Sequence, residues 1–299
     1  MKKRTWITAF VLLLSFAVVL AACSGNATGE TGEKEKGNPQ KGEVNIAVIE
    51  WAEAIAVSNL WKVILEEQGY TVKMTNLGAA AIFSGLSDGS LDIFLDAWLP
   101  ITHESYLEEY GDRLHDAGIW YEGKADLGLA VPAYVEEVNS IADLETHKDL
   151  FKGQIVGIDS GAGLMKLVQE MVIPTYNLSL DLVASSEAAM LSALKKAVEN
   201  EEPIVVTAWR PHWMFTEWDL KYLEDPETLG EAEEIHVMMN KDFAAQNEEI
   251  TTWMENFKMS EEQLGILEGY IFNELMDEEE AAQRWIEENR AVVDGWLGK

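Results

Sequence analysis

The chain has 299 residues, 47% of them apolar, and carries 53 acidic against 22 basic side chains, a formal charge of −31. That surplus of negative charge disfavours nucleic acid and anionic membrane surfaces as partners, and is the ordinary solvation of a protein working outside the cell. The length suffices for one large core or for two lobes.

At the N-terminus, Met1-Lys2-Lys3-Arg4 precedes an apolar stretch from Ala9 to Ala22, which ends at Cys23. A basic start, an apolar segment too short for a comfortable bilayer span and small residues before the cysteine predict a signal peptide over 1–22. Cys23 is the only cysteine, so an internal disulfide is impossible. Its place after Leu20-Ala21-Ala22 predicts a lipid-bearing anchor on the outer face of the cell membrane. Without the signal peptide, 22 basic residues less Lys2, Lys3 and Arg4 leave 19 against 53 acidic, a balance of −34. Residues 23–41 hold almost no large apolar side chains and read as a flexible tether.

The folded part begins near Gly42. Val44 to Ile49 is a β-branched run, and the pattern through Ala56, Leu60, Val63, Ile64 and Leu65, closed by Gly69, is helical. Tyr70 to Met74 predicts a strand, Ala79 to Leu86 a helix ended near Gly89, and Leu91 to Leu95 a third strand. This alternation indicates an α/β fold with largely parallel sheets.

The pattern then recurs. Ala80-Ala81-Ile82-Phe83-Ser84-Gly85-Leu86 matches Ala188-Ala189-Met190-Leu191-Ser192-Ala193-Leu194, and each is followed by an apolar strand ending in Ala97-Trp98 or Ala208-Trp209. Upstream, Ile46 to Trp51 lines up with Ile155 to Ser160. Two α/β lobes follow from this, one of 42–130 plus 214–299 and the other of 131–213. The helices around Ser260 to Leu297 are expected to return to the first lobe.

Ligands of open parallel sheets sit at the carboxyl ends of the strands, so two facing lobes form a cleft. Trp51, Trp98, Ser160 and Trp209 all follow predicted strands and are expected to converge. One tryptophan after one strand is packing; three at such strand ends suit a cage for an alkylated ammonium. That group has no N–H to donate and is held by the faces of aromatic rings. Asp159-Ser160-Gly161-Ala162-Gly163-Leu164 is a Gly-rich turn before a helix, where the N–H groups of Gly163 and Leu164 suit an anion, although a lone G-x-G is often only a tight turn. His103, five residues after Trp98, adds a side-chain donor. Trp253, Trp285 and Trp296 occupy amphipathic positions of acidic helices and read as packing.

The segments Glu50 to Glu53, Asp96 to His103, Gly157 to Gly163 and Val206 to Phe215, taken together, resemble the glycine betaine binding proteins of Gram-positive ABC importers. The similarity runs over essentially the whole chain after the signal peptide. It implies a two-lobed type II periplasmic-binding-protein fold, closure of the lobes on the ligand and delivery to permease and ATPase subunits. By motif it assigns Trp51, Trp98 and Trp209 to the ammonium group, and Gly163, Leu164 and His103 to the carboxylate. Choline, with the same head and no carboxylate, is the near alternative. Arg210 departs from the pattern and is expected to face solvent; His212 and Trp213 are expected behind the cage.

No H-E-x-x-H or closely spaced His/Asp/Glu set is present, so the sequence singles out no hydrolytic machinery and implies no metal or cofactor. A surface hydrolase with a glycosidase-like pair of carboxylates and a passive adhesin lipoprotein remain the rival classes. A monomer is expected.

Overall fold

The computed structural model describes residues 41–229 and 232–299. The signal peptide, Cys23 and the tether up to residue 40 lie outside the described residues. Lys41, expected at the end of the tether, is fixed: its N–H donates to the Gly69 carbonyl and its Nζ pairs with Glu249 at 2.7 Å.

Among the described residues, ten strands form two five-stranded mixed sheets. In the first, β1 (Glu43–Val48) lies between β2 (Thr71–Asn76) and β3 (Ile93–Leu99), all parallel. β4 (Leu114–Ile119) belongs to the same sheet. In the second, β6 (Gln154–Val156) lies between β7 (Asp181–Val183) and β8 (Val206–Arg210), again parallel. Here β5 (Asp126–Pro132) runs antiparallel to both β8 and β9 (Leu220–Tyr222). The last strand, β10 (Glu234–Asn240), returns to the first sheet between β3 and β4, antiparallel to each. The sequence repeat is therefore a repeat of topology: β1 and β6 are the equivalent central strands, and β3 and β8 the ones ending in Ala-Trp.

The second sheet reaches from Asp126 to Tyr222, which is wider than the 131–213 expected for the second lobe. The reason is pairing distant in sequence. β5 begins before Val131 because it pairs along β8, and the segment after Trp213 stays with this sheet through β9. The chain crosses between the lobes twice, and the two crossings touch where the Glu233 N–H donates to the Ala125 carbonyl at 2.8 Å.

Helix α1 (Ala52–Glu67) follows β1 and buries its apolar stripe, Trp61 included, while α2 (Ala79–Asp88) precedes β3 and ends at Gly89 in the left-handed conformation that glycine adopts freely. The C-terminal helices Glu261–Glu268 and Glu278–Glu288 pack on α1, as expected of a return to the first lobe. Trp285 and Trp296 stack at 5.9 Å, and Trp296 stacks on Trp61 at 6.0 Å, so these tryptophans are core. Among the described residues no helix is long and apolar enough to cross a membrane.

Candidate functional site

Strand ends and the turns after them build the site. Trp51 follows β1, Trp98 lies near the end of β3, and Trp209 near the end of β8. All three line one cavity between the sheets, together with Glu53, Thr102, Leu127, Ile158 and Leu164. Residues of both lobes contribute, as the sequence predicted. The Trp51 and Trp209 rings lie 6.3 Å apart and tilted by 53°.

Hydrogen bonds fix the indoles. Trp98 Nε1 donates to Asp96 Oδ1 at 3.0 Å, Trp209 Nε1 to Glu53 Oε2 at 3.0 Å and Trp51 Nε1 to Asp159 Oδ2 at 3.4 Å. The three indole N–H groups are thus satisfied by carboxylates of the protein, and the ring faces are the feature by which such a wall could hold a cation.

Leu164 lines the cavity, and Gly163 opens the helix Gly163–Leu167, whose first-turn N–H groups have no acceptor within the helix. The loop of the other lobe comes very close. A Cβ on Gly163 would lie 2.4 Å from both the Thr102 carbonyl oxygen and its Cγ2, so only glycine permits this contact. Thr102 is itself held by Glu233, which accepts from the Thr102 N–H at 2.8 Å, from the Ile101 N–H at 3.1 Å and from the Thr102 hydroxyl.

His103 is not among the residues lining the cavity; it is fully buried next to it, stacked on Trp51 at 6.3 Å and 4°. Its Nδ1 accepts the Trp98 N–H at 2.9 Å, which puts the ring proton on Nε2, and that Nε2–H has no partner among the described residues. Burial pushes its pKa down to about 3, so the ring is a neutral donor at any physiological pH. Ser160, expected to converge with the tryptophans, is not among the residues lining the cavity.

Arg210 points away, as expected. It forms a two-point pair with Asp126 at 3.1 and 3.3 Å and lies over the Tyr222 ring at 4.6 Å, because adjacent strand residues face opposite sides of a sheet. His212 packs edge-on behind Trp209 with centroids 4.8 Å apart, and Trp213 stacks on Phe272 farther out.

A buried group of acids beside these tryptophans was not anticipated. Glu53, Asp96 and Glu268 are almost without solvent contact, and each has one carboxyl oxygen with no partner among the described residues. Desolvation, aided by the neighbouring charge of Glu187, pushes Asp96 up to about 7 and Glu268 up to about 8, and it raises Glu53 well above the usual carboxylate range. The available signal was an acid two residues from a cage tryptophan, in Trp51-Ala52-Glu53 and Asp96-Ala97-Trp98, the second inside an otherwise apolar strand. Among the described residues no group of His, Cys, Asp and Glu is arranged to hold a metal ion.

The model of the substrate-binding domain of ABC-type glycine betaine transport systems matches residues 42–288. The chain belongs to this family. A curated relative in the glycine betaine family, the glycine betaine/carnitine transport binding protein GbuC of Listeria monocytogenes, is 40% identical over 169 residues. That match covers 52% of this chain and only 54% of the relative, about half its length. Among solved structures, lactococcal OpuAC in its closed, liganded conformation with glycine betaine superposes with a TM-score of 0.79 at 34% identity, covering 85% of this chain and 99% of that one. A choline-binding protein of an ABC transporter, in complex with choline, gives 0.80 at 26% identity, covering 86% and 91%. The fold is the type II periplasmic-binding-protein fold with its ligand cleft between two lobes, carried by a substrate-binding domain of the ABC-type glycine betaine transport family.

Proposed function

We propose that this chain captures glycine betaine in the cleft between its lobes, closes over it and hands it to the permease and ATPase subunits of its transporter. The observation that carries this reading is the cavity walled by Trp51, Trp98 and Trp209 and contributed by both lobes. Each ring face adds about 0.5 to 2 kcal/mol to a desolvated quaternary ammonium. The far end of the zwitterion is a carboxylate, which the Gly163 and Leu164 N–H groups and the unpartnered Nε2–H of His103 are suited to receive. No bond of the solute is made or broken. The protein acts as a monomer and is tethered by a lipid on Cys23, beyond residues 1–22, which are removed as a signal peptide.

Choline is the second reading, favoured by Glu53. This side chain lines the cavity and has a free Oε1 that can accept a hydroxyl, which choline has and glycine betaine lacks. Tryptophan-fluorescence titration of residues 24–299 with both solutes decides between them. Saturation by glycine betaine at micromolar levels with little response to choline supports the first reading, the reverse order supports the second, and silence toward both removes the solute assignment. His103→Ala sharpens the result: it is expected to weaken glycine betaine about tenfold or more while leaving choline nearly unchanged. Equal losses would take His103 out of the carboxylate site.

A further inference from the structure

Glu187 is the first residue of the helix Glu187–Glu199 in the second lobe and is nearly buried. Its Oε2 crosses to the first lobe, where it accepts the Ala52 N–H at 3.2 Å in buried surroundings. Ala52 opens α1, and the residue before it, Trp51, supplies no side-chain cap. A helix that starts at a tryptophan leaves its first N–H groups without acceptors, so this cap comes from the opposite lobe. An anionic side chain also suits the positive ends of both helices at once, its own and α1.

The second oxygen is used as well. Glu187 Oε1 lies 3.2 Å from His212 Nε2, and His212 Nδ1 accepts the Met214 N–H at 3.0 Å, which places the ring proton on Nε2 and makes it the donor. The His212 ring supports Trp209 edge-on. One carboxylate thus joins the start of the helix after Trp51 to the ring behind Trp209. Facing it are the buried acids Glu53, Asp96 and Glu268, none of which donates a charged partner to it.

We infer that Glu187 is a positioning residue that latches the lobes together over the cage, capping α1 from the other side of the cleft and setting Trp209 through His212. The inference rests on the reading of this cleft as the solute site. When the lobes separate, the Ala52 bond is lost and α1 is uncapped, while the Glu187–His212 pair stays within the second lobe. The latch therefore acts on escape of the solute and not on its entry.

The test measures association and dissociation of glycine betaine and choline by stopped-flow tryptophan fluorescence for the unaltered protein, Glu187→Ala and Glu187→Gln, with Tm of the solute-free forms. Glu187→Ala is expected to release the bound solute about tenfold faster, the scale of a lost helix cap, with association within about twofold. Its solute-free Tm should stay close to that of the unaltered protein. Glu187→Gln keeps an acceptor for the Ala52 N–H and is expected to restore most of the slow release. An unchanged release rate in Glu187→Ala overturns the latch, as does a fall in solute-free Tm with no kinetic change. If the unaltered protein binds neither solute, the reading of the site falls and the latch with it; binding by that protein with normal release from Glu187→Ala removes the latch alone.

Discussion

Trp98 and Trp209 end equivalent strands of the two sheets, yet they are held in opposite ways. Trp98 is fixed by its own lobe. Asp96, two residues back on β3, accepts its indole N–H, and His103 accepts its backbone N–H. In β8 the place of Asp96 is taken by Thr207, whose buried hydroxyl has no partner among the described residues. The Trp209 indole instead reaches across the cleft to Glu53 on α1, and Trp51 likewise reaches across to Asp159. Under the proposed closure, Trp98 is fixed before the lobes meet, and Trp51 and Trp209 acquire their hydrogen bonds only on closing. Such an arrangement couples the shape of the cage to closure, so that the form a permease would recognise is also the form in which the cage is complete.

The largest expected effect separates the two walls. Trp98→Ala is expected to lower affinity for the solute about a hundredfold, since it removes a ring face and leaves a wet gap, and also to destabilise the solute-free protein by about 3 to 5 kcal/mol, as loss of a core tryptophan does. Trp209→Ala should cost similar affinity with a smaller loss of solute-free stability. Calorimetric titration beside thermal unfolding checks both; equal drops in solute-free Tm would mean that Trp209 is as fixed as Trp98 before closure.

Gly163→Ala addresses closure itself. The added methyl meets the Thr102 carbonyl at 2.4 Å, a backbone atom that Glu233 holds in place, so the lobes cannot come fully together. Affinity is expected to fall about tenfold or more with solute-free Tm unchanged, and small-angle scattering at saturating solute should show incomplete compaction. Full compaction would show that the Thr102 loop yields.

A finer cut exchanges the two acceptors. Asp96→Ala leaves the Trp98 N–H buried without an acceptor inside one lobe, and is expected to lower solute-free stability by about 1 to 3 kcal/mol. Glu53→Ala breaks a bond that spans the cleft, and is expected to speed dissociation several-fold with little change in solute-free Tm. The same response from both variants would erase the distinction between the walls.

Much of this was legible in the sequence because it is local. The strand–helix–strand unit repeats with its Ala-Trp ends, and residues after such strands must meet if two sheets face each other. Trp51, Trp98 and Trp209 line one cavity for that reason, whereas Ser160, at an equivalent strand end, does not line it, and Leu164 was legible only from the Gly-rich turn before its helix. The lobe boundaries were not legible, since β5 and β9 belong to the second sheet through pairing with strands distant in sequence, and no local pattern marks where a chain changes sheets. Nor was the acid group: Glu53, Asp96 and Glu268 come from α1, β3 and a C-terminal helix, and their burial exists only once these elements pack.

Those acids give the smallest and most diagnostic effect. Asp96 and Glu268 have folded pKa values near 7 and 8, raised by desolvation above the roughly 4 of an unfolded carboxyl, so the folded state holds protons that the unfolded chain has released. The stability they contribute is complete below the unfolded value and is lost as pH rises through the folded one. His103 acts with the opposite sign, but its folded value near 3 lies below the ordinary one, so its contribution is lost only as pH falls below about 6.5 and is constant above pH 7. From pH 7 the solute-free protein is therefore expected to lose stability, at up to about 1.4 kcal/mol per pH unit for each acid still protonated in the fold, and the loss levels off above the Glu268 value of about 8. Thermal unfolding from about pH 7 to 9 checks it, and Glu268→Gln should flatten the upper part of the curve. A flat profile in the unaltered protein would mean that the acids beside Trp98 ionise without cost, and that the wall they support is looser than its hydrogen bonds imply.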